Sequence, residues 1–315
     1  MTGQVGRAAR ELLASAAATA AATAARAGVD IRPLESLDQM RAACAVLSRV
    51  WDIRPPAVID VQPQLLRALG HGGSYQVGAY LSGSTEMIGA SVAFFIEPLG
   101  AAMHSHITGV LPPAAGRGVG AALKWQQRQW ALERGLSRIT WTYDPLIARN
   151  SFFNLTRLGA RPEHYFVDFY GPLDDGPNRG QPTDRAEVVW DLTSGSALEA
   201  EQTALQGVSP AVELDVDALL RAGAATALHV GPDGEPVPGP SAVPGRGPVL
   251  VGIPADIEAV RRSDPASALA WRYQLRATLS SLMADKSWQV TGFARSGWYL
   301  LECRTSAAGA AGGGP

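Results

Sequence analysis

Leu111-Pro112-Pro113-Ala114-Ala115-Gly116-Arg117-Gly118-Val119-Gly120-Ala121-Ala122-Leu123-Lys124 is a glycine-spaced turn that runs directly into a helix. Gly116, Gly118 and Gly120 carry no side chain to keep an anion off the backbone, and the first amides of a helix have no partner of their own. With the positive end of the helix dipole, those amides favour a phosphate or pyrophosphate. The helix is predicted from Val119 to about Arg134, with Val119, Leu123, Gln127 and Trp130 on one side and Gly135 as its stop. Lys124 and Arg128, four apart, form either a basic ridge near the phosphate site or a solvated face. Met103–Val110 reads as the strand before the turn, and Ile139, Trp141 and Tyr143 alternate as a strand after the helix. A crossover helix between two strands makes them parallel neighbours.

Two common phosphate loops do not fit. A Walker loop needs Lys and then Ser or Thr after its second glycine, whereas Ala121 and Ala122 follow Gly120. A dinucleotide fingerprint needs a strand running straight into its first glycine, and Pro112 and Pro113 break any such strand. What remains resembles the coenzyme A loop of the GNAT acyltransferases, whose pattern is Gln or Arg, two residues, Gly, one residue, then Gly or Ala. In that register the loop is Ala115, Gly116, Arg117, Gly118, Val119 and Gly120, with Ala115 standing where the family has a polar side chain. Trp141–Ala160, His106, Tyr165, Tyr170 and the triplet Thr183-Asp184-Arg185 extend the resemblance over residues 28–192, to a branch of predicted GNAT acetyltransferases.

The resemblance implies an α/β fold, a mixed and mostly antiparallel sheet flanked by helices, with a small C-terminal α+β extension. It implies acetyl-CoA or another acyl-CoA as co-substrate, its pantetheine arm in a gap between two splayed strands, and a small amine as acceptor, with no metal. Asp144–Ala160 is then the next helix of the family, closing Leu-Gly-Ala where the family has Leu-Gly-Phe. Many members place a Tyr that protonates the departing thiolate four residues before that Gly, and this chain has Leu155 there.

With 315 residues, 46% of them apolar, the chain can bury one substantial core and a smaller unit. A net charge of −2 gives no general attraction to nucleic acid or anionic membrane. Lys124 and Lys286 are the only lysines among 27 basic residues. Two cysteines, Cys44 and Cys303, make neither a disulfide framework nor a thiolate metal site and read as small buried side chains, which fits a cytoplasmic address. Residues 1–27 are Ala-rich, with Glu11 interrupting any hydrophobic region, and read as an appended helix or tail rather than an export signal.

Elsewhere, strands are predicted at Val29–Leu34, Tyr75–Leu81, Glu86–Glu97, Tyr165–Tyr170 and Glu187–Asp191, with helices marked by Leu37, Met40, Cys44 and Leu47 and by Leu65, Leu66 and Leu69. Residues 193–247 read as an Ala/Gly/Pro-rich connector with at most a short helix at Val216–Leu220. Residues 248–305 read as a strand, a helix interrupted at Asp264-Pro265 and a hairpin around Arg295-Ser296-Gly297, and 306–315 as a disordered tail. About 57 residues are too few to stay folded alone, so this segment is expected to pack on the main sheet or a second subunit, as in a homodimer.

Acyl transfer from a thioester to an amine needs a base, oxyanion donors and an acid for the thiolate. His106, on the strand beside the implied gap, is the leading base, with His104 on the same strand face and Glu97 as the alternative. The amide of Val110 or Leu111 is the candidate oxyanion donor. Tyr143 and Tyr165 are the substitutes for the missing acid, although tyrosines flanking a core are commonly structural. Asn150 and Asn154, four apart, could hold pantetheine amides or sit on an exposed face. Asp144 could bind the acceptor amine or cap the next helix, and Asp184 with Arg185 could form an internal ion pair. Two activities stay open: an acyl-CoA-dependent N-acyltransferase, and a non-catalytic coenzyme A-binding or regulatory module supported by Ala115 and Leu155.

Overall fold

A computed structural model describes residues 2–54, 59, 61–173, 180–208, 214–240 and 247–304. The Ala-rich start is a helix, α1 (Thr2–Ala27), with Ala16, Thr19, Ala20, Thr23 and Ala27 buried along it. Side chains this small let helix axes approach closely. β1 (Val29–Pro33) leads to α2 (Leu37–Val50), where Ser36 Oγ accepts from the Gln39 amide and Gln39 Oε1 accepts from the Ser36 amide, a reciprocal cap that fixes the helix start. α3 (Pro63–His71) begins on proline, whose missing N–H is no loss there. β2 (Tyr75–Leu81), β3 (Met87–Ile96) and β4 (Ala102–Val110) form a meander. α4 (Val119–Glu133) then crosses to β5 (Arg138–Tyr143). α5 (Ala148–Phe152) widens into a π turn at Phe153–Arg157, before β6 (Arg161–Phe166) and β7 (Arg185–Asp191).

The seven strands are ordered β1-β2-β3-β4-β5-β7-β6. Among neighbouring pairs in this sheet only β4 and β5 are parallel, and α4 is the crossover helix that joins them. This is the mixed, mostly antiparallel α/β sheet that the resemblance implies. α2 and α3 cover one face over a compact core that includes Met40, Leu47, Leu66, Val92 and Leu111. α4 covers the other face, and α1 lies over α4. The strand expected at Tyr165–Tyr170 lies earlier, because the chain turns out of the sheet through Asp168, whose φ is 48°.

The segment 193–247 is more structured than a connector. It contains α6 (Gly195–Gln206), α7 (Val216–Arg221), β8 (Ala225–Val230) and β9 (Pro236–Pro238). β8 shows no clear alternation of apolar residues, and it is a strand because it pairs in parallel with β10 (Val249–Gly252). After α8 (Ile257–Ser263), Asp264 accepts from the Ser267 amide and caps α9 (Pro265–Leu275), so the anticipated break at Asp264-Pro265 is present. A π turn at Arg276–Ser280 and α10 (Ser281–Ala284) lead to the hairpin β11 (Trp288–Ala294) and β12 (Trp298–Cys303). The second sheet is ordered β11-β12-β10-β8-β9. It packs on the first, because Trp125 and Trp190 share one core with Trp271, Phe293 and Tyr299. Cys303 is half-buried rather than buried, and residues 306–315 lie outside the described residues.

α6 seats against the end of the α5 segment through Gly159, which has a φ of +70° and would place an added Cβ onto the backbone carbonyl of Ser196. Gly159→Ala is therefore expected to lose at least about 2 kcal/mol, from left-handed strain plus overlap with immobile backbone. Urea unfolding measures it, and an unchanged midpoint would show that α6 can move away freely.

Candidate active site

β4 and β5 pair only over Ala102–His104 and Arg138–Thr140, and beyond that point β4 stays with β3 while β5 stays with β7. The two parallel strands therefore splay, and a gap opens toward the C-terminal end of β4. The Leu111 amide donates to Ile88 O at 2.8 Å, so that amide is not free for an oxyanion. Since an antiparallel strand alternates its hydrogen-bonding side, Thr108 and Val110 turn their backbone groups toward the gap. Val92 pairs with Ile107 and Ala93 with Ser105, leaving His106 as the extra residue of a bulge. A bulge bends its strand and frees a peptide from the ladder.

The glycine loop that follows β4 stands at the open end of this gap. Pro112–Ala114 form a tight turn, and Ala115 and Arg117 give their amides to Pro112 O and Ala114 O. Gly116 and Gly118 have φ of +78° and +88°, a region open to glycine at little cost, and Gly118 caps α4. The amides of Val119, Gly120 and Ala121 form the first turn of α4 and have no acceptor within the helix. The Arg117 guanidinium lies back against Gly28 at the end of α1. Beside Gly118 a cavity of about 140 Å³ is rimmed by Arg26, Arg117 and Arg157.

The basic ridge expected on α4 does not exist. Both cations are buried, because α4 is sandwiched between the sheet and the helices outside it. Arg128 is fully buried, with Nη1 donating to Glu201 Oε1 at 2.6 Å and Nη2 to Leu192 O at 2.7 Å. Lys124 points beneath the apex of the splay. Its Nζ donates to Ser105 Oγ at 2.9 Å and to Gln127 Oε1 at 3.1 Å, and lies 3.6 Å from the centre of the Trp141 ring. Lys124 forms no ion pair among the described residues, and burial pushes its ammonium well below the ordinary lysine range. Sequence reasoning missed this residue as chemistry; its signal was that 25 of the 27 basic residues are Arg and one of the two lysines stands here.

His104 and His106 share the opposite face of β4, their rings 6.4 Å apart and both against Phe94. His104 Nδ1 lies 3.1 Å from Thr140 Oγ1. Burial, with the charges of His106 and Lys124, pushes His104 down to about 4, so it is neutral at physiological pH. Glu97 is not brought to this site: it is exposed beyond the end of β3, beside the Ala102 end of β4 and away from the open end of the gap.

Both tyrosines offered as acids are spent. Tyr143 is buried with its hydroxyl 3.3 Å from Tyr299 Oη, and burial pushes it far up. Tyr165 donates to Asp184 Oδ2 at 2.7 Å, and burial and that carboxylate raise it. Asp144 is likewise closed to an acceptor amine. It takes Arg272 on both oxygens, at 2.8 and 2.6 Å, Arg261 at 2.7 Å and the Leu146 amide at 2.9 Å. Asp184 pairs with Arg276, at 2.9 and 2.6 Å, rather than with Arg185, which bonds the Asp184 carbonyl. These three arginines come from the C-terminal unit, more than 75 residues away in sequence. Asn154 is buried and accepts from Trp141 Nε1 at 3.2 Å, while Asn150 is half-buried on α5 ahead of the π turn. Leu155 is buried in the core.

The described residues contain no group of three or more His, Cys, Asp or Glu able to hold a metal ion, and no described helix is long and apolar enough to cross a membrane. No family model and no curated protein matches the sequence. Among solved structures, the chain is similar to the ribosomal-protein-S18-alanine N-acetyltransferase of Escherichia coli, at 14% identity and a TM-score of 0.42, over 53% of this chain and 96% of that one. It is similar to an N-acetyltransferase of Staphylococcus aureus Mu50, at 16% identity and 0.42, over 52% and 99%. A GNAT family acetyltransferase of Elizabethkingia anophelis with acetyl-CoA bound aligns at 13% identity and 0.39, over 52% and 99%. In each case about half of this chain spans nearly all of the other protein. Likenesses at these identities and scores carry no activity across to this chain.

Proposed function

We propose that this protein is a GNAT-type N-acyltransferase that moves a small acyl group, such as acetyl, from coenzyme A to an amine, with an amino acid among the acceptors. The observation that carries the reading is the splay of β4 from β5 with an anion-binding helix start at its open end. The pyrophosphate meets the amides of Val119, Gly120 and Ala121, and the pantetheine amides run along the Thr108–Val110 edge like an added strand. That places the thioester near the His106 bulge, between the histidine face and Lys124. The amine nitrogen attacks the carbonyl carbon, the N–C bond forms as the C–S bond breaks, His106 takes the amine proton and Lys124 gives a proton to the sulfur. A desolvated lysine gives up its proton more readily than one in water, which suits it to the role that Leu155 cannot fill.

Thiol release from acetyl-CoA with a panel of amines tests the activity. Lys124→Met is expected to lower kcat by about a hundredfold with coenzyme affinity little changed, and to remove the alkaline limb of the pH profile. Lys124→Arg should not rescue it, since arginine holds its proton too tightly. His106→Ala should lower kcat and remove the acid limb. Tight coenzyme binding with no thiol release from any amine would favour the second reading, a non-catalytic coenzyme A module, which the engaged hydroxyls of Tyr143 and Tyr165 support.

A further inference from the structure

A cavity of about 530 Å³ opens at the start of β2, between the C-terminal end of α3 and the outer half of α4. Its size lies within the usual range for small-molecule sites, about 300–1,000 Å³. It is separate from the coenzyme loop: none of residues 111–121 lines it, and its lining residues on α4 and at the C-cap, Gln126, Trp130 and Arg134, lie six to fourteen residues beyond Gly120, about 9–21 Å along a helix.

One wall holds an unmet polar group. Gln76 is 7% exposed and its Oε1 is buried without a hydrogen-bond partner. Its amide fills the space over Gly70, where a Cβ would overlap Nε2, so the α3 helix has a glycine at the position that admits this side chain. An unpaired buried acceptor destabilises the fold, and a ligand N–H would recover that cost. The rim holds two cations, Arg67 and Arg134, and neither pairs with a carboxylate among the described residues. Arg67 Nη1 donates to the Glu35 carbonyl at 3.0 Å, and Arg134 lies over the Trp130 ring, 3.8 Å from its centre, with Nη1 donating to the Trp130 carbonyl at 3.2 Å. Two arginines lining one cavity suit a planar carboxylate. The rest of the lining is mixed, with Met40, Val77 and Trp130 beside the polar Glu35, His71 and Gln126.

We infer that this cavity binds an apolar amino-acid carboxylate that carries an N–H, either the free amino acid or its N-acyl derivative. The carboxylate meets Arg67 and Arg134, the N–H meets Gln76 Oε1, and the side chain lies on Trp130. The inference does not depend on catalysis, because binding is read without coenzyme.

Calorimetry on the full chain tests it with L-phenylalanine and N-acetyl-L-phenylalanine, against L-phenylalanine methyl ester, which lacks the carboxylate, and 3-phenylpropionate, which lacks the N–H. At least one of the first two should bind, and which one does identifies the source of the ligand. The two controls should bind at least about tenfold more weakly, the loss of one charge-assisted or buried hydrogen bond. Gln76→Leu should remove the preference over 3-phenylpropionate. Arg67→Ala, an exposed position that leaves the core intact, should weaken the acid and not the ester, with any thiol-releasing activity retained. Equal affinity for acid and ester, binding unaffected by both variants, or no binding by either amino-acid form would overturn the inference.

Discussion

Asp144→Ala is expected to destabilise the folded chain by about 3–5 kcal/mol, because it strands charges that are buried around one carboxylate. Arg272 is 1% exposed, and Asp144 bridges it and Arg261 of the C-terminal unit to the end of β5. Burial alone would raise the Asp144 carboxyl, but the charge and hydrogen bonds of Arg272, with the charge of Arg261, outweigh it and hold the group well below the usual carboxylate range. A carboxylate depressed in the fold stabilises above its unfolded value and stops doing so as pH falls through its folded one. The gap between wild type and variant should thus be full at neutral pH and shrink only below about pH 4. Denaturant unfolding at several pH values measures it, and a loss under about 1 kcal/mol would mean that the shared apolar core alone docks the two sheets.

Gly120→Trp is expected to weaken coenzyme A binding by at least about a hundredfold while leaving the fold intact. A Cβ at Gly120 meets nothing within 4 Å and the backbone there is not left-handed, so the indole projects into the open space at the helix start. Gly118 is a poorer probe, since its φ of +88° strains any side chain and its Cβ would touch Ala27 of α1. Gly120→Ala should bind almost normally. Calorimetry with acetyl-CoA decides: unchanged affinity in the Trp variant would remove the coenzyme assignment, whereas the cavity at Gln76 would be untouched by that result.

The positions of the splayed strands and of the loop were legible in the sequence because they rest on local chemistry. Alternation marks Ile139, Trp141 and Tyr143, prolines end the strand before the loop, and glycines allow the left-handed turns at Gly116 and Gly118. The helix break at Asp264-Pro265 follows from the same kind of rule. The candidate chemistry was less legible. Glu97, Tyr143, Tyr165, Asp144 and Asn154 were chosen by residue type and by position in a strand or helix, yet whether a polar group is free depends on partners that periodicity does not reveal. Four of those five are engaged by side chains 13 to 156 residues away, and Glu97 stands at the wrong end of the sheet.

Lys124 shows the same division. By itself the sequence determines a helix after the glycine loop, with Lys124 and Arg128 four apart and so on neighbouring turns. It does not say what covers that helix. Only the tertiary structure lays α1 over α4, carries a second sheet onto the first and so removes the water that a basic ridge would need. Hydrogen-bonding rules and glycine geometry act over a few residues and can be read along the chain. Burial, which turns an ordinary lysine into a weakly held proton and an ordinary aspartate into a clamp, is set by how segments pack: Lys124 against Ser105 and Trp141 of two neighbouring strands, Asp144 against Arg272, 128 residues away.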